Sequence, residues 1–356
     1  MEGENHFLPP PLKIFVASRK NILATWGDVI ATKESGRLPI SAFVGKVLAV
    51  KESGVAIALI LIILFFSLTC KPFLTTFNLL NLMRQISITG IVAIGVTLLM
   101  VSGEFDLSVG SIFAVSGVTV ALLARNLGIN LWFAALAGLS IAAFLGLING
   151  LIVTVTKIPS FLATLGTMMA YRGLALILSK GWPVANLPPS SFYLITGGKI
   201  LDIIPTPGIW VLIFCFIFCI VLDHTGYGNQ AYATGGNEEA ARLSGINTNK
   251  VKLINFVLTG IAAGTAALIS LGLLESAVPV QGQGMELEAI AAAVIGGTSL
   301  AGGSGTILGT LLGAIIMGMV RNGLVLLGAS AYYQNALLGM VLVVAVIINV
   351  QFERRR

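Results

Sequence analysis

Residues 225–252 read TGYGNQAYATGGNEEAARLSGINTNKVK. This is the longest polar stretch between the first apolar span and the C-terminus, and the chain on both sides of it is almost unbroken hydrocarbon. Its centre predicts a short helix. Asn237 is placed to cap the N-terminus by accepting a bond from a free backbone N–H. Glu238 and Glu239 fall in the first turn, where the helix dipole favours negative charge. Ala240, Ala241 and Leu243 are good helix formers, and Glu238 and Arg242 have the i, i+4 spacing of an ion pair. Gly245 is placed to close the helix in a left-handed conformation. About two turns are too few to be stable alone in water. Such a helix, held between apolar spans, either docks on something or is a solvated connection, and these residues alone leave both readings open.

Working outward, the 356 residues are 56% hydrophobic and 10% charged, with a mean hydropathy of +0.96. A soluble domain averages about 25% charged residues, so the chain reads as a polytopic membrane protein whose spans are α-helical. The net charge of +6 marks cytoplasmic loops rather than nucleic-acid binding. Cys70, Cys215 and Cys219 lie in or beside apolar runs and read as small buried hydrophobes. His6 and His224 have no ligand-like spacing, so no metal site is expected. The start of the chain lacks an apolar core, so no cleavable signal peptide is expected.

Ten spans are predicted from the requirement for about 20 apolar residues per crossing: 53–70, 86–102, 108–124, 131–155, 160–179, 207–223, 251–273, 286–300, 305–325 and 336–350. Residues 1–52 form an N-terminal extension, read either as a surface helix over about 12–30 or as a partly disordered tail. The segment FLTTFNLLNLMRQISI, between the first two spans, suits an interfacial helix. With the N-terminus in the cytoplasm, 14 of the 21 Lys and Arg residues fall in inside segments and five in outside ones. That bias puts both termini, the loop 225–250 and the basic tail 351–356 on the cytoplasmic side.

Gly138, Ala142, Gly146 and Gly150 recur every four residues, as do Gly305, Gly309 and Gly313. Such ladders let helix backbones approach closely in lipid, within one chain or, for one ladder, between two subunits. Two junctions resemble each other: GEFDLSVGS at 103–111 and GGTSLAGGSGT at 296–306. Each follows an apolar run and opens into a small-residue span, the pattern of a repeated transporter half with broken helices.

Acids beside a span are functional candidates. Glu104 and Asp106 stand in the first junction, and Asp106 is equally a cap for Ser108 or Val109. Thr298 and Ser299, in the second, either line a polar path or bond preceding carbonyls. Glu286 and Glu288 suit the first turn of a helix, and Arg172 snorkels or pairs with an acid. No phosphate-loop, H-E-x-x-H, G-x-S-x-G or Cys/His pattern is present, so nothing marks an enzyme. ATP-driven transport would need a separate ATPase subunit.

Four stretches carry a specific resemblance: NLLNLMRQISITGIVAIGVTLLMVSGEFDLSVGS (80–111), IPSFLATLGTMMAYRGLAL (158–176), ATGGNEEAARLSGIN (233–247) and GMELEAIAAAVIGGTSLAGGSGTILGTLLGAIIMG (284–318). They are similar to permease subunits of ATP-binding-cassette importers of the branched-chain amino acid/ribose family, nearest the ribose/xylose/arabinose branch. The resemblance runs from about residue 54 to 350. It implies an all-α fold of the second importer class, like the vitamin B12 permease, with about ten helices in a domain spanning 53–350. It implies a prokaryotic inner-membrane location, a second permease subunit, an ATPase carrying ATP and Mg²⁺, an extracytoplasmic sugar-binding protein, and no cofactor in this chain. Residues 233–247 match the loop that docks on the ATPase, which gives Asn237 to Leu243 and Gly245 the coupling role. Glu104, Asp106, Ser108, Thr298 and Ser299 are the candidate pathway residues. Two departures stand out: the long N-terminal extension, and Glu104 where the family motif has glycine. The alternatives are an importer of branched-chain amino acids or nucleosides, and an ion-coupled transporter using Glu104 and Asp106.

Overall fold

The computed structural model describes residues 53–201, 203–330 and scattered positions from 332 to 351. The expectations for the extension 1–52, for the tail after 351 and for seven of the fifteen residues of the span 336–350 lie outside these residues.

α1 (Ser53–Thr69) is followed by α2 (Thr76–Val101), which starts where the Thr75 hydroxyl accepts from the Asn78 N–H. At 1.5 Å per residue its 26 residues rise about 39 Å, more than the ~30 Å hydrocarbon core. The segment predicted as an interfacial helix is therefore not a separate element. Thr76 to Gln85 form the first turns of the same continuous helix, with Phe77 77% exposed. No glycine or proline interrupts that stretch, so nothing separates a surface segment from the span.

α3 (Val109–Leu127), α4 (Leu131–Thr156) and α5 (Ser160–Ser179) follow through short turns. A longer connection holds the six-residue α6 (Ser191–Thr196) and a hairpin of β1 (Lys199–Ile200) with β2 (Ile204–Pro205). α7 (Thr206–His224) leads into α8 (Gly226–Gly236) and α9 (Glu238–Leu243). α10 (Thr248–Leu274), α11 (Met285–Ile295) and α12 (Ile307–Leu326) complete the described helices.

Seven of these are long and apolar enough to cross a membrane: α2, α3, α4, α5, α7, α10 and α12. α1 is apolar but shorter. The predicted span 286–300 is covered only to Ile295 by the 11-residue α11, about 16 Å and half a crossing. Gly297, Gly302 and Gly303 take positive φ beyond it, which ends the helix and turns 296–306 into an irregular segment.

α10 is the hub, packed against α4, α2 and α3. Both glycine ladders are used within the chain. A Cβ on Gly146 would collide with the Phe256 carbonyl, and one on Gly260 with that of Ala142. Gly309 and Gly313 stand equally close to the backbone of α11 at Gly296 and Ala292. Such approach lets van der Waals contact replace the hydrophobic drive that lipid does not supply. Buried polar pairs join the same helices: Thr97 with Thr310 at 2.7 Å, the Thr259 hydroxyl donating to the Gly95 carbonyl at 2.9 Å, and the Asn78 and Asn322 amides bonded to each other.

The turns 102–108, 157–159 and 296–306 and the segment 225–247 gather at one end of the bundle. There Lys157 donates to Asn249 and the Gly303 N–H donates to the Val101 carbonyl. At the other end, Val184 and Ala277 exchange two backbone bonds and join the loops after α5 and α10.

Candidate functional site

α9 forms for the local reasons its residues dictate. The Asn237 carboxamide oxygen accepts from the Ala240 N–H at 2.9 Å, and the Glu238–Arg242 pair closes at 2.7 Å. Gly245, at φ +86°, donates to Arg242, and the Ile246 N–H donates to Ala241, both to carbonyls. These two bonds form a Schellman closure, which needs a residue in the left-handed region. Ala241 is buried against the bundle, while Glu239, Ala240, Arg242, Leu243 and Gly245 face outward. Leu243 is 85% exposed, so the helix offers an apolar side chain flanked by charges.

Beneath α9 lies a seat that residue patterning did not reveal. Gly235 and Gly236, the last residues of α8, touch Gly103 of the first junction and Gly302 and Gly303 of the second. The two similar motifs therefore meet under the turn into α9. α8 is held by Tyr227, which donates to Asn255 at 2.6 Å, and by Tyr232, which donates to the Gly305 carbonyl at 2.8 Å.

Lys252, in the first turns of α10, joins the same assembly. Its ammonium lies 2.6 Å from a Glu104 oxygen and 2.7 Å from a Glu238 oxygen. Thr248 also donates to Glu238. Burial tends to raise the Glu238 pKa, but bonds from Lys252, Thr248 and Arg242 and the Lys252 charge outweigh it, so the carboxyl is held below the usual range.

Asp106 is fully buried and builds the start of α3. One of its oxygens accepts from both the N–H and the hydroxyl of Ser108 at 2.7 Å, and the other accepts from Asn149 at 3.1 Å. Asn149 also donates to the Ser108 hydroxyl and accepts from Tyr171. The N–H groups of Phe105 and Leu107 donate to the hydroxyls of Ser160 and Thr164 on α5, which satisfies these two groups of the irregular backbone. Thr298 and Ser299 are buried in the second junction, where Ser299 accepts from Ala301. The five pathway candidates therefore lie on two touching junctions, and all are buried in this conformation.

Arg172 bonds backbone rather than an acid side chain. It donates to the carbonyls of Pro279, Gln281 and Gly110 at 2.7–3.0 Å, pinning the loop before α11 to the start of α3. Glu288 instead pairs with Arg321 at 2.5 Å, beside a cleft of about 380 Å³ between α2, α11 and α12.

Several membrane-length helices, two irregular junctions between them and an exposed helix seated on both define a polytopic membrane protein. Residues 78–346 match the family described as branched-chain amino acid transport system / permease component, and the chain belongs to that family. The ribose import permease protein RbsC of Escherichia coli K12 is 41% identical over 299 residues, covering 82% of this chain and 92% of that protein. RbsC of Bacillus subtilis 168 is 40% identical, covering 84% and 92%. The L-arabinose transport system permease protein AraH of Escherichia coli K12 is 38% identical, covering 78% and 84%. No solved structure matches the chain.

Proposed function

We propose that the chain is the permease subunit of an ATP-driven importer of a monosaccharide of the ribose or arabinose kind. Two such subunits, identical or sister chains, enclose the pathway. An ATPase subunit carrying ATP and Mg²⁺ docks on α9, and a binding protein delivers sugar at the opposite end. The fold is the ten-helix arrangement of the second importer class, in a prokaryotic inner membrane with both termini cytoplasmic. Asn237 to Leu243 and Gly245 are the ATPase-coupling residues. Glu104, Asp106, Ser108, Thr298 and Ser299 belong to the junctions whose rearrangement opens the path.

The observation that carries this reading is the placement of α9, a capped, outward-facing helix whose base rests on both junctions. A push on α9 reaches the junctions through backbone contact, which is what converting nucleotide-domain closure into a shift between inward and outward states requires. The names of the relatives support a sugar rather than an amino acid. An ion-coupled mechanism gains nothing from the geometry. Glu104 is bonded to Lys252, and Asp106 is filled by Ser108 and Asn149.

The test is uptake of labelled ribose or arabinose by proteoliposomes holding the permease and ATPase, with binding protein outside. Uptake that requires ATP on the ATPase side and survives a protonophore is expected. Uptake that ignores ATP and collapses with the protonophore would overturn the reading.

A further inference from the structure

We infer that Lys252 is the positioning residue that carries movement of α9 to the Glu104 junction, acting as an ionic link between two carboxylates that otherwise repel. This rests on the importer reading above and extends it to a residue outside both the coupling helix and the pathway candidates.

The geometry makes the link directional. Glu238 belongs to α9, the element that faces outward, and Glu104 to the turn that caps the end of α2. One ammonium, 12% exposed on its side chain, holds both at 2.6 and 2.7 Å. Such contacts place the carboxylate oxygens at most about 5 Å apart across the ammonium, where like charges in a poorly solvated site repel strongly. With Lys252 present, displacing α9 draws Glu238, the ammonium and Glu104 together. Without it, the two acids separate and α9 can move while the junction stays behind.

The glycine contacts at Gly235, Gly103 and Gly302 resist compression but bear no tension, because they are van der Waals contacts with short reach. An ion pair with charge-assisted hydrogen bonds holds in both directions. Lys252 therefore supplies the pull at the Glu104 junction, as the Tyr232–Gly305 bond does at the second junction. Glu104 is also the counter-ion that lets this lysine be largely buried, since an unpaired charge there is costly.

The experiment uses the full complex of permease, ATPase and binding protein in proteoliposomes and reads sugar taken up per ATP hydrolysed. Three variants are compared: Lys252→Met, which keeps the stem and removes the charge; Lys252→Arg, which keeps the charge; and Glu104→Gln, which cuts the same link at its other end. Lys252→Met is expected to lower the uptake-to-ATP ratio by about 5- to 150-fold, the range of ordinary coupling free energies, while still hydrolysing ATP. Lys252→Arg is expected to keep most of the ratio, and Glu104→Gln to lower it as Lys252→Met does. A Lys252→Met complex with the wild-type ratio would overturn the inference. So would a loss of uptake and hydrolysis that merely follows a fall in folded complex, measured by thermal midpoint in detergent, in Lys252→Met and Lys252→Arg alike. If wild-type complex shows no ATP-dependent uptake, the importer reading fails instead.

Discussion

Replacing Gly245 with residues of rising backbone demand should uncouple the transporter in a graded way. Gly245 sits at φ +86°, and nothing lies within 4 Å of where its Cβ would project. Neighbours therefore do not resist a side chain, and the whole penalty is conformational. Holding an L-residue in the left-handed region costs about 1–2 kcal/mol, with asparagine penalised less than alanine. Proline adds two further losses. Its φ is locked near −65°, and it removes the N–H that donates to Arg242 at 3.0 Å. If the strain is relieved by unwinding the end of α9, a cost of 1–2 kcal/mol lowers the population of the closed turn about 5- to 30-fold. The assay is uptake and ATP hydrolysis in the same proteoliposomes, with thermal midpoints as the folding control. Uptake per ATP should fall in the order Asn, Ala, Pro, with little change in midpoint, because the turn is exposed. Wild-type uptake from Gly245→Pro would refute the argument that the shape of α9 matters.

Other predictions follow from the same geometry. Leu243→Ser should weaken ATPase binding by about tenfold or more, since burying a leucine is worth about 1.5–3 kcal/mol; titration of the ATPase onto permease in nanodiscs reads this, and unchanged affinity would place the contact elsewhere. Gly146→Leu should destabilise the bundle by about 1–3 kcal/mol or more, because its Cβ meets the Phe256 carbonyl; a thermal midpoint equal to wild type would contradict the α4–α10 packing. Because the Glu238 pKa is depressed, its bonds favour the folded form above the ordinary value of 4.5 and that contribution is lost as pH falls through the lowered one. Hydrogen exchange of α9, corrected for intrinsic rates, should then be flat from about pH 5 to 8. Loosening within that window would show that another group governs the tether.

The sequence made α9 legible because its signals are local. A cap three residues from its donor, an i, i+4 pair and a terminal glycine all act within two turns, and each is formed. The seat beneath it was not legible. Lys252 reaches Glu104 across 148 residues of sequence, and periodicity carries no information about such a contact. α8 was also hidden, since GYGNQAYATGG is poor helix material on propensity and is held by Tyr227 and Tyr232. The predicted span 286–300 failed because apolar composition does not distinguish a crossing helix from a half-helix followed by a buried glycine turn. The similarity of 103–111 to 296–306 proved to be spatial as well, for the two junctions touch. Asp106 is not the N-cap of α3, which is Ser108; it accepts from the Ser108 N–H in a turn just before the helix, and its second oxygen enters a network with Asn149 and Tyr171 that no spacing announced.

The central claim is that α9 is the docking point of an ATPase. Its most direct test is recovery of this chain from native membranes in mild detergent, followed by mass spectrometry of the proteins that accompany it. The account predicts an ATP-binding-cassette ATPase in the eluate, lost when Leu243→Glu and Glu239→Lys are combined. Recovery of the permease without any ATPase, under conditions that keep a control transporter complex intact, would contradict it.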